Sequence, residues 1–483
     1  MKNKKIIAAM IVTALITIIF SVILNTTALN YGSLTYEINN GKVTITGCDK
    51  EAAEVFIPEK IEGKPVAFLG YFAFKSCEKL TKIDVDSNNS YFSSYDGVLY
   101  NKDKTVLLRC PEGKSSVAVY NKVKIIGNES FAFCKKLTQV NLPGTVEEIG
   151  YYAFDTCVGL TKIVIPDSVI TIGMQAFEYC INITEIKLGK SIKRINHYAF
   201  SSCNKVTVLT VPDSVEYMGA GVLPSNYIDS LPDGPVYLGK MFYAYKGEMP
   251  ENTEIVIKNG TKGIAGGAFS GYRNLIKVTM PESVIEIGES AFVSCEKLGS
   301  AALPSKITKI YAGTFSDCKA LTSVTIPEGV TEIQREAFTN CLMLDDIYVP
   351  DTIAVIGSNA FYNTKWYNEL DEGLVYIGKV VLGYKGGINR DTEITIENGT
   401  RGIADGAFFQ QIGFPEIVLP ESIEYIGSDA FYYAYITIKN PNVKFGKHLA
   451  FKRRDDCFRP RQYLAAVCAG QRLYMDSAFL GSL

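Results

Sequence analysis

Along Val146–Val215 the apolar and polar positions recur in one order three times, as VEEIGYYAFDTCVGLTKIVIPDS, VITIGMQAFEYCINITEIKLGKS and IKRINHYAFSSCNKVTVLTVPDS, each 23 residues long. Within a copy, Phe154, Cys157 and Leu160 are spaced by three, which predicts one side of a short helical turn. The spacing then drops to two at Ile163 and Ile165, which predicts a short strand with one buried face. Pro166 removes a ladder donor and stops that strand, and Asp167-Ser168 favour the turn after it. Ile149-Gly150 supplies a second apolar edge with a glycine at its corner. No copy can bury these residues alone. Stacked copies set each Phe, Leu and Ile on its counterpart, a gain of roughly 1.5–3 kcal/mol per fully buried side chain. A fixed period of this size predicts a solenoid, here an α/β repeat of strands and short helical turns.

The same beat organises most of the chain. Met1–Lys5 is basic and Ile6–Leu24 apolar, so residues 1–28 are expected to be an export signal, cleaved after Ala28 or kept as an anchor. Either way its lysines hold that end in the cytoplasm and send the repeats outside. Residues 31–54 predict a hairpin cap turning at Asn39-Asn40-Gly41, and Val55-Phe56-Ile57-Pro58 a first strand. The repeats then occupy 55–440, with hairpin insertions expected near 86–120, 225–260 and 365–399. In the first of these, Val98-Leu99-Tyr100 and Val106-Leu107-Leu108 read as a hairpin leaving the stack. The other two are copies of each other: Gly234–Phe269 and Gly373–Phe408 match at a constant offset of 139. From 441 to 483 the pattern fades, and five of the eleven arginines (Arg453, Arg454, Arg459, Arg461, Arg472) fall there. That tail reads either as a cap or disordered end, or as sequence acquired from another frame or gene.

These residues carry a resemblance. The pattern V-x-x-I-G-x-x-A-F-x-x-C-x-x-L-x-x-I-x-I-P-x-S-V at Val146–Val169 resembles the BspA-type leucine-rich repeat, also called the Treponema pallidum type. The resemblance runs from Tyr31 to Asn440 and includes DGVLYNKDK at Asp96–Lys104 and the VYLGK and VYIGK segments at Val236 and Val375. It implies a right-handed solenoid with a parallel sheet on one face, on secreted or surface proteins of bacteria that adhere to host proteins or other microbes. It brings no catalytic residues. The arginine-rich tail and the lack of a sorting motif depart from it.

Charge and chemistry narrow the function further. Acids and bases nearly balance at a net charge of −2, without the basic face a nucleic acid requires. The two histidines, His197 and His448, read as surface residues outside any catalytic constellation. The DVDSNN run at Asp84 has a calcium-loop look but carries Asn89 where the loop glycine belongs and Tyr95 where the bidentate acid belongs. No phosphate loop is present. No cofactor is expected.

Eight of the twelve cysteines share one repeat position: Cys77, Cys134, Cys157, Cys180, Cys203, Cys295, Cys318 and Cys341. Other copies place Asn226, Tyr272, Thr364, Gln411 or Ala434 there. A disulfide or metal ladder needs fixed mates, so these are expected to be structural thiols filling a turn. What remains is surface. Lys162 and Val164, Glu185 and Lys187, Val208 and Thr210, Ser300 and Ala302, Ser323 and Thr325, and Asp346 and Tyr348 alternate with buried strand residues and form the candidate binding face. The expected function is an exported or cell-surface binding protein, non-catalytic, whose partner is an extracellular protein of host or microbe. A glycan-binding or purely structural surface module is the alternative; a membrane contact would come only through residues 1–28.

Overall fold

The computed structural model describes residues 29–388, 394–409, 416–431, 435–446, 466–468 and 471–473. Residues 1–28, expected to be an export signal, lie outside them, as do His448, Gln411, Ala434 and most of the arginine-rich stretch. The described residues divide between two compact units, one within 1–169 and 175–186, the other within 170–174 and 187–483. Each is a β-solenoid of stacked parallel strands with almost no helix.

In the first unit Leu29–Tyr31 runs antiparallel to Leu34–Asn39, which is itself antiparallel to Lys42–Cys48. Asn40 and Gly41, at φ 50 and 73, make the left-handed turn that such a two-residue connection needs. Lys42–Cys48 then pairs parallel with Lys64–Leu69, so the cap's second strand is already a rung. Each later coil contributes two rungs. One is a two-residue strand such as Ile125–Ile126, which pairs parallel with Glu148–Ile149. The other is the strand before the proline, as in Ser116–Ala118 beside Gln139–Asn141. The short rung was read from sequence as no more than an apolar edge.

The stretch from Phe154 to Leu160 is not a helix. It holds isolated i→i+3 bonds, Cys157 N to Phe154 O at 3.3 Å and Leu160 N to Cys157 O at 3.1 Å. Left-handed Tyr152 (φ 52) precedes it, left-handed Thr156 (φ 56) interrupts it, and both turn the backbone groups toward the next coil. Phe131 N donates to Ala153 O at 2.8 Å, and Phe154 N to Ala176 O at 2.7 Å. The turn therefore makes a third ladder between coils, and satisfying those groups outweighs the roughly 1–2 kcal/mol cost of the left-handed residues. The helical component of the expected α/β repeat reduces, among the described residues, to Ser225–Asp229 and Lys365–Glu369.

Behind these ladders the phenylalanines stack. In the first unit Phe131, Phe154 and Phe177 are parallel, with centroids 4.6 and 4.9 Å apart. In the second, Phe242, Phe269, Phe292, Phe315, Phe338 and Phe361 continue at 4.6–5.5 Å. That spacing is the inter-strand distance of a sheet, so the ring column and the backbone ladders share one pitch. The glycine after the short rung Glu148–Ile149 follows from the same pitch: a Cβ on Gly150 would lie 2.8 Å from Asn128 N, on the backbone of the preceding coil.

The insertion over residues 86–120 does not leave the stack. Val106–Arg109 is antiparallel to Val98–Asn101 but also parallel to Ile125–Ile126. Tyr100 and Leu107 are fully buried there, and a projecting hairpin would have exposed both along with an unpaired edge. In the second unit Gly234–Leu238 is antiparallel to Met241–Lys246, which pairs parallel with Gly263–Ile264. Gly373–Ile377, Val380–Lys385 and Gly402–Ile403 repeat that arrangement with the same bulge. The lysine of each YKG triplet caps a short helix by donating to its last carbonyls, Lys246 to Asp229 O and Lys385 to Asn368 O, both at 2.8 Å. Ladder pairing also passes residue 440, since Tyr425–Ile426 is parallel to Lys444–Phe445.

Candidate binding face

The strand before each proline positions the expected face. In Lys162–Val164, Glu185–Lys187 and Ser323–Thr325 the middle residue is buried and the outer two exposed. Val208–Thr210 and Asp346–Tyr348 show the same alternation around a half-buried centre. All ten residues chosen from these strands, from Lys162 to Tyr348, are exposed. In the second unit the register sets Ser323 against Asp346 and Thr325 against Tyr348, so these four side chains share one surface. Tyr348 hydroxyl donates to Glu328 Oε1 at 2.5 Å, and that bond raises the phenol above its ordinary range.

Sequence reasoning missed part of this face. Thr253–Val256 lies inside the stretch read as an insertion, yet it is a rung parallel to Leu275–Thr279, which pairs in turn with Ser300–Ala301. This adds Glu254, Val256, Lys277 and Thr279 to the exposed row. Lys277 Nζ sits 3.8 Å from Glu254 Oε2, an exposed pair that fixes little. Val256 is 73% exposed and Val164 and Val208 over half, so apolar side chains are spread along the rows among charged and hydroxyl ones. The available signal was the alternation T-E-I-V-I, which lacks the terminal proline.

The eight ladder cysteines are buried and outside any disulfide. Five of them donate to the phenylalanine carbonyl of the preceding coil at 3.1–3.2 Å: Cys157, Cys180, Cys295, Cys318 and Cys341. Burial pushes the Cys295 and Cys341 thiols up to about 12, which keeps them protonated as donors. The residues that replace cysteine are donors too. Asn226 Nδ2 reaches Asn204 O at 2.7 Å, Tyr272 hydroxyl reaches Tyr245 O at 2.8 Å, and Thr364 hydroxyl reaches Phe361 O at 2.9 Å. The position asks for a donor to a nearby backbone carbonyl.

His197 is not a free surface residue. Its Nδ1 accepts from Ala220 N at 3.0 Å, so a neutral ring carries its proton on Nε2, which lies 3.1 Å from Tyr217 hydroxyl and 3.3 Å from Glu289. Nearby, the Arg194 guanidinium lies 4.0 Å from the centre of the Tyr217 ring and 3.4 Å from both Glu286 and Tyr311 hydroxyl. This network joins coils far apart in sequence. Asn89, the residue that spoiled the calcium-loop reading, is fully buried; it donates to Pro58 O at 2.9 Å and accepts from Tyr91 N and Phe92 N. Among the described residues no cluster of acids, histidines and cysteines is arranged to hold a metal, and no helix is long and apolar enough to cross a membrane.

Solved structures show similar chains. A leucine-rich cell surface protein from Faecalibacterium prausnitzii is 24% identical over 72% of this chain and 99% of its own, with a TM-score of 0.32. A leucine-rich repeat protein from Bacteroides ovatus is 23% identical over 69% of this chain and 92% of its own, at a TM-score of 0.28. The T. pallidum leucine-rich repeat protein is 22% identical over 56% and 91%, at 0.24. These likenesses carry no functional argument. No curated protein matches the chain significantly. The repeat itself is decisive: six copies of the BspA type leucine rich repeat region match residues 109–228, 242–367 and 388–459. With the ladders, the phenylalanine column and the donor position recurring across those spans, the chain belongs to the BspA-type leucine-rich repeat family.

Proposed function

We propose that this chain is an exported, cell-surface, non-catalytic module that binds an extracellular protein through the exposed rows of its proline-ended strands. One observation carries the reading. Along these strands the buried centre is fixed by packing, while the flanking pairs vary freely in kind: Lys162/Val164, Glu185/Lys187, Ser323/Thr325 and Asp346/Tyr348. The backbone under them is held by ladders, so ordering it costs little on binding. Family membership supports the same class. The resemblance further supports a right-handed winding of the coils, and the sequence of residues 1–28 supports export.

Rows with many small side chains and few aromatics bind through several modest contacts. Purified repeats should capture proteins from host matrix or mucosal extracts, and Tyr348→Ala or Lys277→Ala should each weaken capture by about 1 kcal/mol or less while thermal unfolding stays unchanged. If one exposed substitution abolished capture without altering unfolding, a discrete site would replace the distributed face.

A further inference from the structure

One ladder cysteine in the first unit is seated differently from the rest. Cys157, Cys180, Cys295, Cys318 and Cys341 each hold a carbonyl at 3.1–3.2 Å. Cys77 has no such seat: its Sγ lies 3.8 Å from Lys75 O and 3.9 Å from Cys48 O. The thiol that closes most rungs is therefore loosely held at this one, and the residue it faces is itself a cysteine.

Cys48 ends the cap strand Lys42–Cys48 and packs against the core cluster that contains Cys77. Its Sγ lies 3.2 Å from the carbonyl of Asp49. A cysteine's carbonyl oxygen and sulfur both lie within about 3 Å of its Cα, so a thiol beside the one is within reach of the other. Each thiol also shifts its neighbour: Cys77 is the largest influence raising Cys48, and Cys48 the largest lowering Cys77.

Access separates this pair from a similar one. Cys134 Sγ lies 3.8 Å from Cys110 O, but Cys110 and Cys134 are both fully buried. Cys77 is buried too, whereas Cys48 is half-buried, unlike every other cysteine among the described residues. A dissolved oxidant can meet a sulfur at Cys48 and at none of the other three. We propose that Cys48 and Cys77 form a reversible disulfide that clamps the cap onto the first coil. The Cys48 thiolate attacks one sulfur of a small disulfide and expels a thiolate. The Cys77 thiolate then attacks the Cys48 sulfur and expels the second. Two cysteine thiols are oxidised to one disulfide, the small disulfide is reduced to two thiols, and the cysteine protons pass to those leaving groups. The link closes a loop of about 30 residues and restrains a terminal strand, where a solenoid opens most readily. Export, proposed above, supplies oxidising surroundings; the test provides its own oxidant and so stands apart from that reading.

The full chain, reduced and then freed of reductant, is incubated with glutathione disulfide, denatured, alkylated and mapped by mass spectrometry. The peptides of Cys48 and Cys77 should emerge linked and lighter by two hydrogen atoms, with Cys110 and Cys134 alkylated. Amides of Lys42–Cys48 should exchange about tenfold or more slowly in the oxidised chain than in the reduced one, and dithiothreitol should reverse the change. Cys48→Ser leaves the ladder thiols in place and should remove both the link and the oxidant's effect on exchange. Thermal unfolding of reduced Cys48→Ser at the wild-type temperature shows that the fold survives the substitution. Two unlinked thiols, glutathione retained on Cys48, or equal linkage of Cys110 to Cys134 would overturn the pairing. A link that leaves exchange unchanged would overturn the clamp.

Discussion

Phe154→Ala tests the stacked-ring account most directly. Phe154 is fully buried, with Phe131 at 4.6 Å and 11° on one side and Phe177 at 4.9 Å and 3° on the other. A buried Phe→Ala change costs about 3–5 kcal/mol from lost transfer and the cavity left behind. Two parallel ring contacts, each about 0.5–1.5 kcal/mol beyond area burial, place this position in the upper part of that range, near 4–5 kcal/mol. Phe131 has Phe154 as its ring partner on one side, so Phe131→Ala should cost about 1 kcal/mol less. The double substitution should fall short of the sum by a coupling of about 1 kcal/mol. Urea denaturation followed by circular dichroism reads the total. Hydrogen exchange at the Phe131 and Phe154 amides reads the first unit alone, because those amides bond to Ala153 O and Ala176 O. A cost under about 2 kcal/mol, or no coupling, would refute the idea that the column acts as a packed stack.

Other expectations follow from the thiols and from a buried acid. The ladder cysteines should resist alkylation in the native chain and react fully once it is denatured without reductant, as mass mapping would show; regular disulfides among them would contradict buried thiols that stand outside any disulfide. Burial pushes the Asp155 carboxyl up to about 6, above its unfolded value of about 3.9. The folded state therefore holds that proton more tightly, so this group's contribution to stability is greatest below about pH 4 and is lost as pH rises toward about 6. Asp155→Asn should flatten that part of the profile of unfolding temperature against pH, and identical slopes in the two proteins would count against the burial argument.

The period was legible because packing enforces it. Phe154, Ile163 and Pro166 recur at fixed spacing, and the buried positions followed directly. The character of the turn was not legible, because Tyr152 and Thr156 adopt left-handed backbone only where a neighbouring coil accepts and donates along the seam. The rung at Thr253–Val256 was hidden because its usual closing proline is replaced by Ile257-Lys258. The exposed alternation at Lys162–Val164 and Asp346–Tyr348 was plain from strand period alone.

The seam between coils has a consequence for how such a chain changes length. Junctions between plain coils such as the one joining Phe154 to Phe177 offer the same groups: a short rung, a proline-ended rung, a turn amide facing a carbonyl, a ring on a ring, and a donor reaching back to a phenylalanine carbonyl. The upper surface of one plain coil therefore fits the lower surface of another, irrespective of which residues decorate the outside. Gain or loss of a whole 23-residue segment between plain coils leaves the new junction with the same kinds of contact as the old one. Reach and surface lettering can thus be rewritten by recombination between coils, with no refitting of the interior.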